Sequence, residues 1–528
     1  MSEETTLYCP WCLSDQLTTK GVRKSEAKGP DKPEPKPVYK CKRCDRRTVA
    51  PLGEDDPRMH AGKHTFRTTL SMPRKEKYVI TCAQNATDVH PVLETLKSYC
   101  HHNDAELLII PIRYHNPTSH WGSAARASEW WEKDTHPYLF TGRKKIHKHL
   151  MVLGDISTQL TASRPVSGFE TITGQHSAIL GHPKHELQYI ATPQQKLPKA
   201  LMSSGTCTVR NYIDGKAGKK GEHHHTFGGV VVERDGDRFY FRQLNALEDG
   251  SFIDLTKTYY PNGAIEDAGP APLLVCGDLH HKFMCPKSVG ATLFGEDSML
   301  EVLRPKAIAW HDVMDGYSCN PHDLDNPFMG YARQAYQADD VKEEIARCAF
   351  FFDQYCQKTK NYIIASNHED FLARWMNRID WRDDYKNTEF YLETALAMVR
   401  AAEVTDRGYK GIHPFPYWMD RMVKKADVTY LGVDESLMIH NIEAGFHGHR
   451  GPNGARGTLE NYGKIGVKTI IGHSHTPGIK DGAMQVGTLS QLIMDYTSGP
   501  SSWLNTNGVV YENGKRALLN IIDGRWKL

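Results

Sequence analysis

Five times between residues 272 and 475 a short apolar run gives way at once to a cluster of Asp, Asn or His. The runs are expected strands at 272–276, 307–310, 362–365, 442–446 and 467–471. The clusters that follow are Gly277-Asp278-Leu279-His280, Asp312-Val313-Met314-Asp315-Gly316, Ser366-Asn367-His368-Glu369, His447-Gly448-His449 and Gly472-His473-Ser474-His475. In α/β folds ligands bind where strands end and loops begin, and there side chains from distant parts of a chain can converge. An alternating D-x-H or H-x-H on extended backbone puts two side chains on one side. Carboxylates, an amide oxygen and imidazoles form the mixed oxygen and nitrogen set that suits manganese, iron or zinc. Two such ions, sharing a bridging carboxylate and a bridging hydroxide, can clamp both oxygens of an in-line displacement at phosphorus.

The rest of the chain reads as ordinary soluble protein. Of 528 residues, 39% are hydrophobic and 24% charged, enough for two to four domains with a sizeable core. No apolar stretch approaches the length of a bilayer span. The first residues lack a basic run followed by an apolar core, so no secretory signal is expected and a cytoplasmic location follows. Three regions are expected: 1–70, polar and rich in Lys and Pro; 71–268, a separate α/β domain with a partly parallel sheet; and 269–528, which holds the five clusters. In the middle region, strands are expected from 77, at 107–110 and at 150–153. A helix carries Val89, Val92, Leu93, Leu96 and Cys100, and a hairpin joins 227–232 to 238–243. The clearest helix of the last region is 339–356, with Val341, Ile345, Cys348, Phe352 and Tyr355 as one apolar stripe.

The five clusters, in this order, resemble the signature of the calcineurin-like metallophosphoesterase family: D-x-H, GDxxD, GNH[DE], a single His, and GHxH. The resemblance implies a β-sandwich flanked by helices and a dinuclear metal site. It implies that Asp278, His280 and His475 hold one ion, that Asn367, His447 and His473 hold the other, and that Asp312 bridges them. His368 is implied to protonate the leaving oxygen or stabilise the phosphoryl charge. Asp315 is implied to orient its neighbours from behind the ligands. The chain departs from the family at His311, where Gly usually precedes the bridging Asp, and at Ser366, which replaces the Gly of GNH[DE]. Both are read as backbone-conformation positions. His281 and His449 stand beside expected ligands, either touching substrate phosphate or simply solvated.

Residues 1–77 carry 17 Lys and Arg against 11 Asp and Glu, while the remainder carries 48 against 52. This basic amino-terminal segment holds Cys9-Pro-Trp-Cys12 and Cys41-Lys-Arg-Cys44. Four thiolates in two CxxC pairs fit a closed tetrahedral structural zinc, a zinc ribbon. Trp11, Lys40, Lys42, Arg43, Arg46 and Arg47 suit phosphate contacts if the ribbon docks nucleic acid or a partner chain. The other reading is a metal staple for a coreless segment. The stretch 28–37, with its GPDKPEP, is expected to be loop. The remaining eight cysteines are scattered, as buried thiols of a reducing compartment. Residues 215–220 (GKAGKK) are expected as a flexible basic loop, His223-His224-His225 as an exposed run, and Gly154-Asp155 as a loop end.

Together these features predict a metal-dependent phosphodiesterase, a DNA nuclease in the first instance. The layout is also similar, more loosely, to phage pre-early DNA-degradation proteins and to SbcCD-type repair nucleases, which would place it in a host cytoplasm. Expected cofactors are two divalent transition metals, manganese first and iron or zinc next, besides one structural zinc. DNA is the expected partner, with no membrane and a possible homo-oligomer. The alternative is a phosphomonoesterase using the same ligands; a binding protein with a retired site is disfavoured because no ligand is missing.

Overall fold

A computed structural model of the protein describes residues 6–9, 15–23, 36–42, 47–48, 51, 53, 66–113, 130–193, 196–406, 408–494 and 497–527. The chain is a mixed α/β protein with several sheets. No helix among these residues is long and apolar enough to cross a membrane.

The sheet that positions the site has six strands in the order Val428–Leu431, Lys360–Ile364, Ala307–Trp310, Leu273–Val275, Thr506–Val510 and Arg516–Asn520. The first four are parallel, and the last two form an antiparallel hairpin against Leu273–Val275. Runs such as Ala-Ile-Ala-Trp, buried at every position, lack the alternation of a half-exposed strand because both faces of this sheet are covered. On one face Leu274, Ile308, Trp310 and Ile363 pack with helical residues including Val289, Val341, Ile345, Leu372 and Trp418. On the other, Leu273, Val275, Ala309 and Val510 share a core with Ile442, Ile470 and Met484, residues in or beside a second sheet.

That second sheet has ten strands, and its order crosses the expected boundary near 268. Strands Met438–Ile439, Ile442–Glu443, Lys468–Ile471, Ala483–Gln485 and Gly478–Lys480 continue into Leu187–Ile190, Lys199–Ser203, Ser177–Leu180, Leu150–Leu153 and Arg143–His147. The join is antiparallel, Ile479 opposite Leu187. Residues 143–203 therefore extend the sheet that carries two of the five clusters. Elsewhere the middle region forms a four-stranded sheet, Arg238–Asn245, Gly228–Asp235, Lys77–Gln84 and Ala105–Ile112, parallel only in its last pair, and a three-stranded antiparallel one, Phe252–Asp254, Lys257–Tyr259 and Ile265–Asp267.

The helix Val341–Tyr355 shows how sequence sets an element. Asp340 caps it by accepting the Glu343 N–H at 2.8 Å, and Glu343 and Glu344 favour its positive amino end. Val341, Ile345, Cys348 and Phe352 are buried as their spacing requires, but Tyr355 is 40% exposed, and Phe351 takes the inward place instead.

Other expectations are corrected. Residues 216–223 form a helix, Lys216–His223, in place of a flexible loop; Gly218 packs so close to Ile213 that a Cβ there would meet its carbonyl oxygen. His225 is buried, with Tyr212 Oη at 2.9 Å and Thr208 O at 3.0 Å, so the His run is not exposed as a whole. Lys36 and Pro37 belong to the strand Lys36–Cys41, with Pro37 opposite Val22. Cys41, at the end of a strand of this three-stranded amino-terminal sheet, and Cys9, ahead of it in the chain, are both buried; Cys12, Cys44, Trp11, Arg43 and Arg46 lie outside the described residues.

Candidate metal centre

All five clusters emerge at the carboxyl ends of strands: three from the six-stranded sheet and two from the parallel pair Ile442–Glu443 and Lys468–Ile471. The first two loops are zipped together by backbone bonds, Leu279 N to His311 O at 2.9 Å, His280 N to Asp312 O at 2.7 Å and His281 N to Val313 O at 3.0 Å. Asp278 is propped from the other side by Leu489 N, which donates to its carbonyl at 2.8 Å, and by the Thr488 hydroxyl at 2.7 Å. Sequence gave no signal for this 487–489 support, because nothing in its residue types marks it.

Four donors converge. His280 Nε2 lies 2.9 Å from His475 Nε2 and 3.5 Å from Asp312 Oδ2, and His475 Nε2 lies 3.2 Å from Asp278 Oδ2. Asp278, His280, Asp312 and His475 are all buried and could hold a metal ion. Two imidazole nitrogens and two carboxylates facing one point present more lone pairs than a shared proton can satisfy; a cation satisfies them together. His280 Nδ1 meets Asp315 Oδ1 at 3.1 Å, which directs Nε2 into the cluster.

Beside the same Asp312 oxygen a second set assembles in part. His447 Nε2 is 3.3 Å from Asp312 Oδ2 and 3.2 Å from Asn367 Oδ1. His473 sits with its ring centre 5.2 Å from that of His447, and its backbone N–H donates to Asp278 Oδ2 at 2.9 Å. Its Nδ1 does not join the convergent group. Asp312 Oδ1, His473 Nδ1, His475 Nδ1 and both ring nitrogens of His449 are buried with no hydrogen-bond partner, a set of orphaned polar atoms that fits a site for cations. His280, Asp312, His473 and His475 all have left-handed backbone, φ 42°, 43°, 84° and 59°. Non-glycine residues rarely take that conformation, and it concentrates where side chains must be aimed at a shared point.

The electrostatics agree. Burial works against charge on both groups, yet the Asp312 carboxylate lifts His447 to about 9, and His447 in turn holds Asp312 well below the usual carboxylate range. Burial pushes His473 down to about 4 and His449 to about 3. His368 is half-buried, its Nδ1 2.6 Å from Asp315 O and its ring centre 4.5 Å from that of His280.

The two family departures have side-chain consequences. Ser366 hydrogen-bonds the buried carboxyl group of Glu369, whose other oxygen accepts the Val313 N–H at 2.8 Å. His311 is buried within the site, its Nδ1 3.4 Å from Nδ1 of His447. His281 packs edge-on against Phe351 at 5.7 Å, half-buried. A rim cluster that no motif announced joins Arg450 and His413 to Asp370 at 2.9 and 3.2 Å.

No family model matches the chain, and no solved structure matches it. Protein A1 of Escherichia phage T5 is similar to it, 29% identical over 470 residues that cover 85% of this chain and 83% of that protein.

Proposed function

We propose that the protein is a metal-dependent phosphodiesterase that cleaves DNA. The observation that carries the reading is the buried convergence of Asp278, His280, Asp312 and His475, with His447 meeting the same Asp312 oxygen, Oδ2, as His280 and Asn367 meeting His447. Asp278, His280 and His475 would hold one ion, Asn367, His447 and His473 the second, and Asp312 both. Layering of the six-stranded sheet between helices and the ten-stranded sheet supports the calcineurin-like reading.

When bound, two transition ions supply charge neutralisation and a nucleophile at neutral pH. The chain's own groups supply alignment. Asp315 fixes His280 through its carboxylate and His368 through its carbonyl oxygen. With its Nδ1–H donated to the Asp315 carbonyl, His368 turns Nε2 outward, and as an imidazolium it would pass the Nε2 proton to the leaving oxygen and return to the neutral ring. Half-burial leaves it reachable by a phosphodiester.

DNA as substrate is supported by similarity to a phage protein over 85% of the chain, by the looser resemblance to phage DNA-degradation proteins, and by the basic amino-terminal segment with its proposed zinc ribbon. The test compares linear and circular duplex, single-stranded DNA and a chromogenic phosphomonoester, each with manganese or chelator. Metal-dependent loss of DNA is the expected result. Turnover of the monoester alone would make the protein a phosphatase.

A further inference from the structure

His311 stands where the resembled family usually has glycine, so its imidazole is a side chain that the common motif lacks. It is not a surface accident. The residue is 0% exposed, and its carbonyl is fixed by the Leu279 N–H at 2.9 Å. Its ring centre lies 5.4 Å from that of His447, tilted by 44°, and the two Nδ1 atoms face each other at 3.4 Å. The neighbouring loop makes room for it: a Cβ on Gly472 would sit 2.9 Å from His311 Cγ. Gly472 is itself tied to His447, donating its N–H to the His447 carbonyl at 2.8 Å.

His447 already directs Nε2 at Asp312 and Asn367. An imidazole that gives one nitrogen lone pair to a cation carries its proton on the other, and that N–H needs an acceptor to lock ring and tautomer. Among the described residues the group facing His447 Nδ1 is His311 Nδ1.

We propose that His311 is a positioning residue for the second ion: its Nδ1 accepts the Nδ1–H of His447 and so holds Nε2 of His447 toward Asp312 and Asn367. The inference rests on the two-ion reading above. It assigns the side chain a role that glycine cannot perform.

The test measures ion binding to the full chain by manganese calorimetry and by the visible spectrum of cobalt(II), in wild type, H311N and H311L. Asn and Leu have similar shape, but Asn places an oxygen acceptor where Nδ1 stood and Leu places a methyl group. Thermal unfolding of the metal-free proteins checks that both variants fold. Wild type is expected to take up two ions. In H311L the weaker ion is expected to bind about 10- to 100-fold less tightly with an altered cobalt spectrum, the first ion being unaffected; H311N is expected to recover most of the loss. Equal ion binding by H311L and wild type, or equal losses in H311N and H311L, would overturn the proposal. Failure of wild type to bind a second ion would overturn the two-ion reading itself, and His311's role with it.

Discussion

Asp312 and His447 meet at 3.3 Å with side chains 1% and 0% exposed, and Asp312 Oδ2 also lies 3.5 Å from His280. One carboxylate oxygen thus meets imidazoles carried by two sheets, and on the proposed two-ion reading it joins the two halves of the ligand set. Replacing it by Asn keeps the shape and removes the charge. Asp312→Asn is expected to lose about 10³-fold in turnover, the equivalent of several kcal/mol of lost charge stabilisation. Metal content measured beside turnover should fall with it.

The same pair gives the metal-free protein a distinct pH response. The folded state raises His447 from 6.5 to about 9, so its contribution to stability is complete below about pH 6.5 and is lost as pH rises toward 9. Asp312, held well below 3.8, contributes above that value and is lost only in stronger acid. Melting temperature without metal is therefore expected to fall between pH 6.5 and 9. Manganese affinity is expected to rise over the same window, by about tenfold per unit where one proton is displaced. Calorimetry at three pH values in buffers of different ionisation enthalpy checks both signs.

Gly472 is required for space. A Cβ there would collide with Asp278 Oδ1 and press on His311. Gly472→Ala is expected to destabilise the fold by about 1–3 kcal/mol and to weaken binding of the first ion, read by thermal unfolding and by metal analysis after gel filtration.

Ser366→Gly restores the residue common in the resembled motif and removes the hydroxyl that bonds Glu369. Burial, aided by the charge of Asp312, raises the Glu369 carboxyl well above its ordinary range, and its bond from Val313 N–H remains. The variant is expected to lose about 1 kcal/mol of stability while keeping its ion content.

The clusters were legible because each is local: an apolar strand, then candidate ligands within a few residues. That local pattern located Asp278, His280, Asp312 and His475, which the fold brings together. The seam between Leu187–Ile190 and Gly478–Lys480 was not legible, since strand pairing across nearly 300 residues leaves no trace in either segment. The placement of the His311 ring against His447 was not legible either, since the room for it is left by Gly472, far along the chain. The helix Lys216–His223 and the burial of His225 depend on contacts with Ile213, Tyr212 and Thr208 that composition does not encode.

The central claim is tested most directly by release of acid-soluble nucleotides from end-labelled linear duplex DNA, comparing wild type and Asp312→Asn with manganese and with chelator. Release by wild type only with manganese, and its loss in the variant, is the expected result. DNA left intact by metal-loaded wild type, or equal release by the variant, would contradict it.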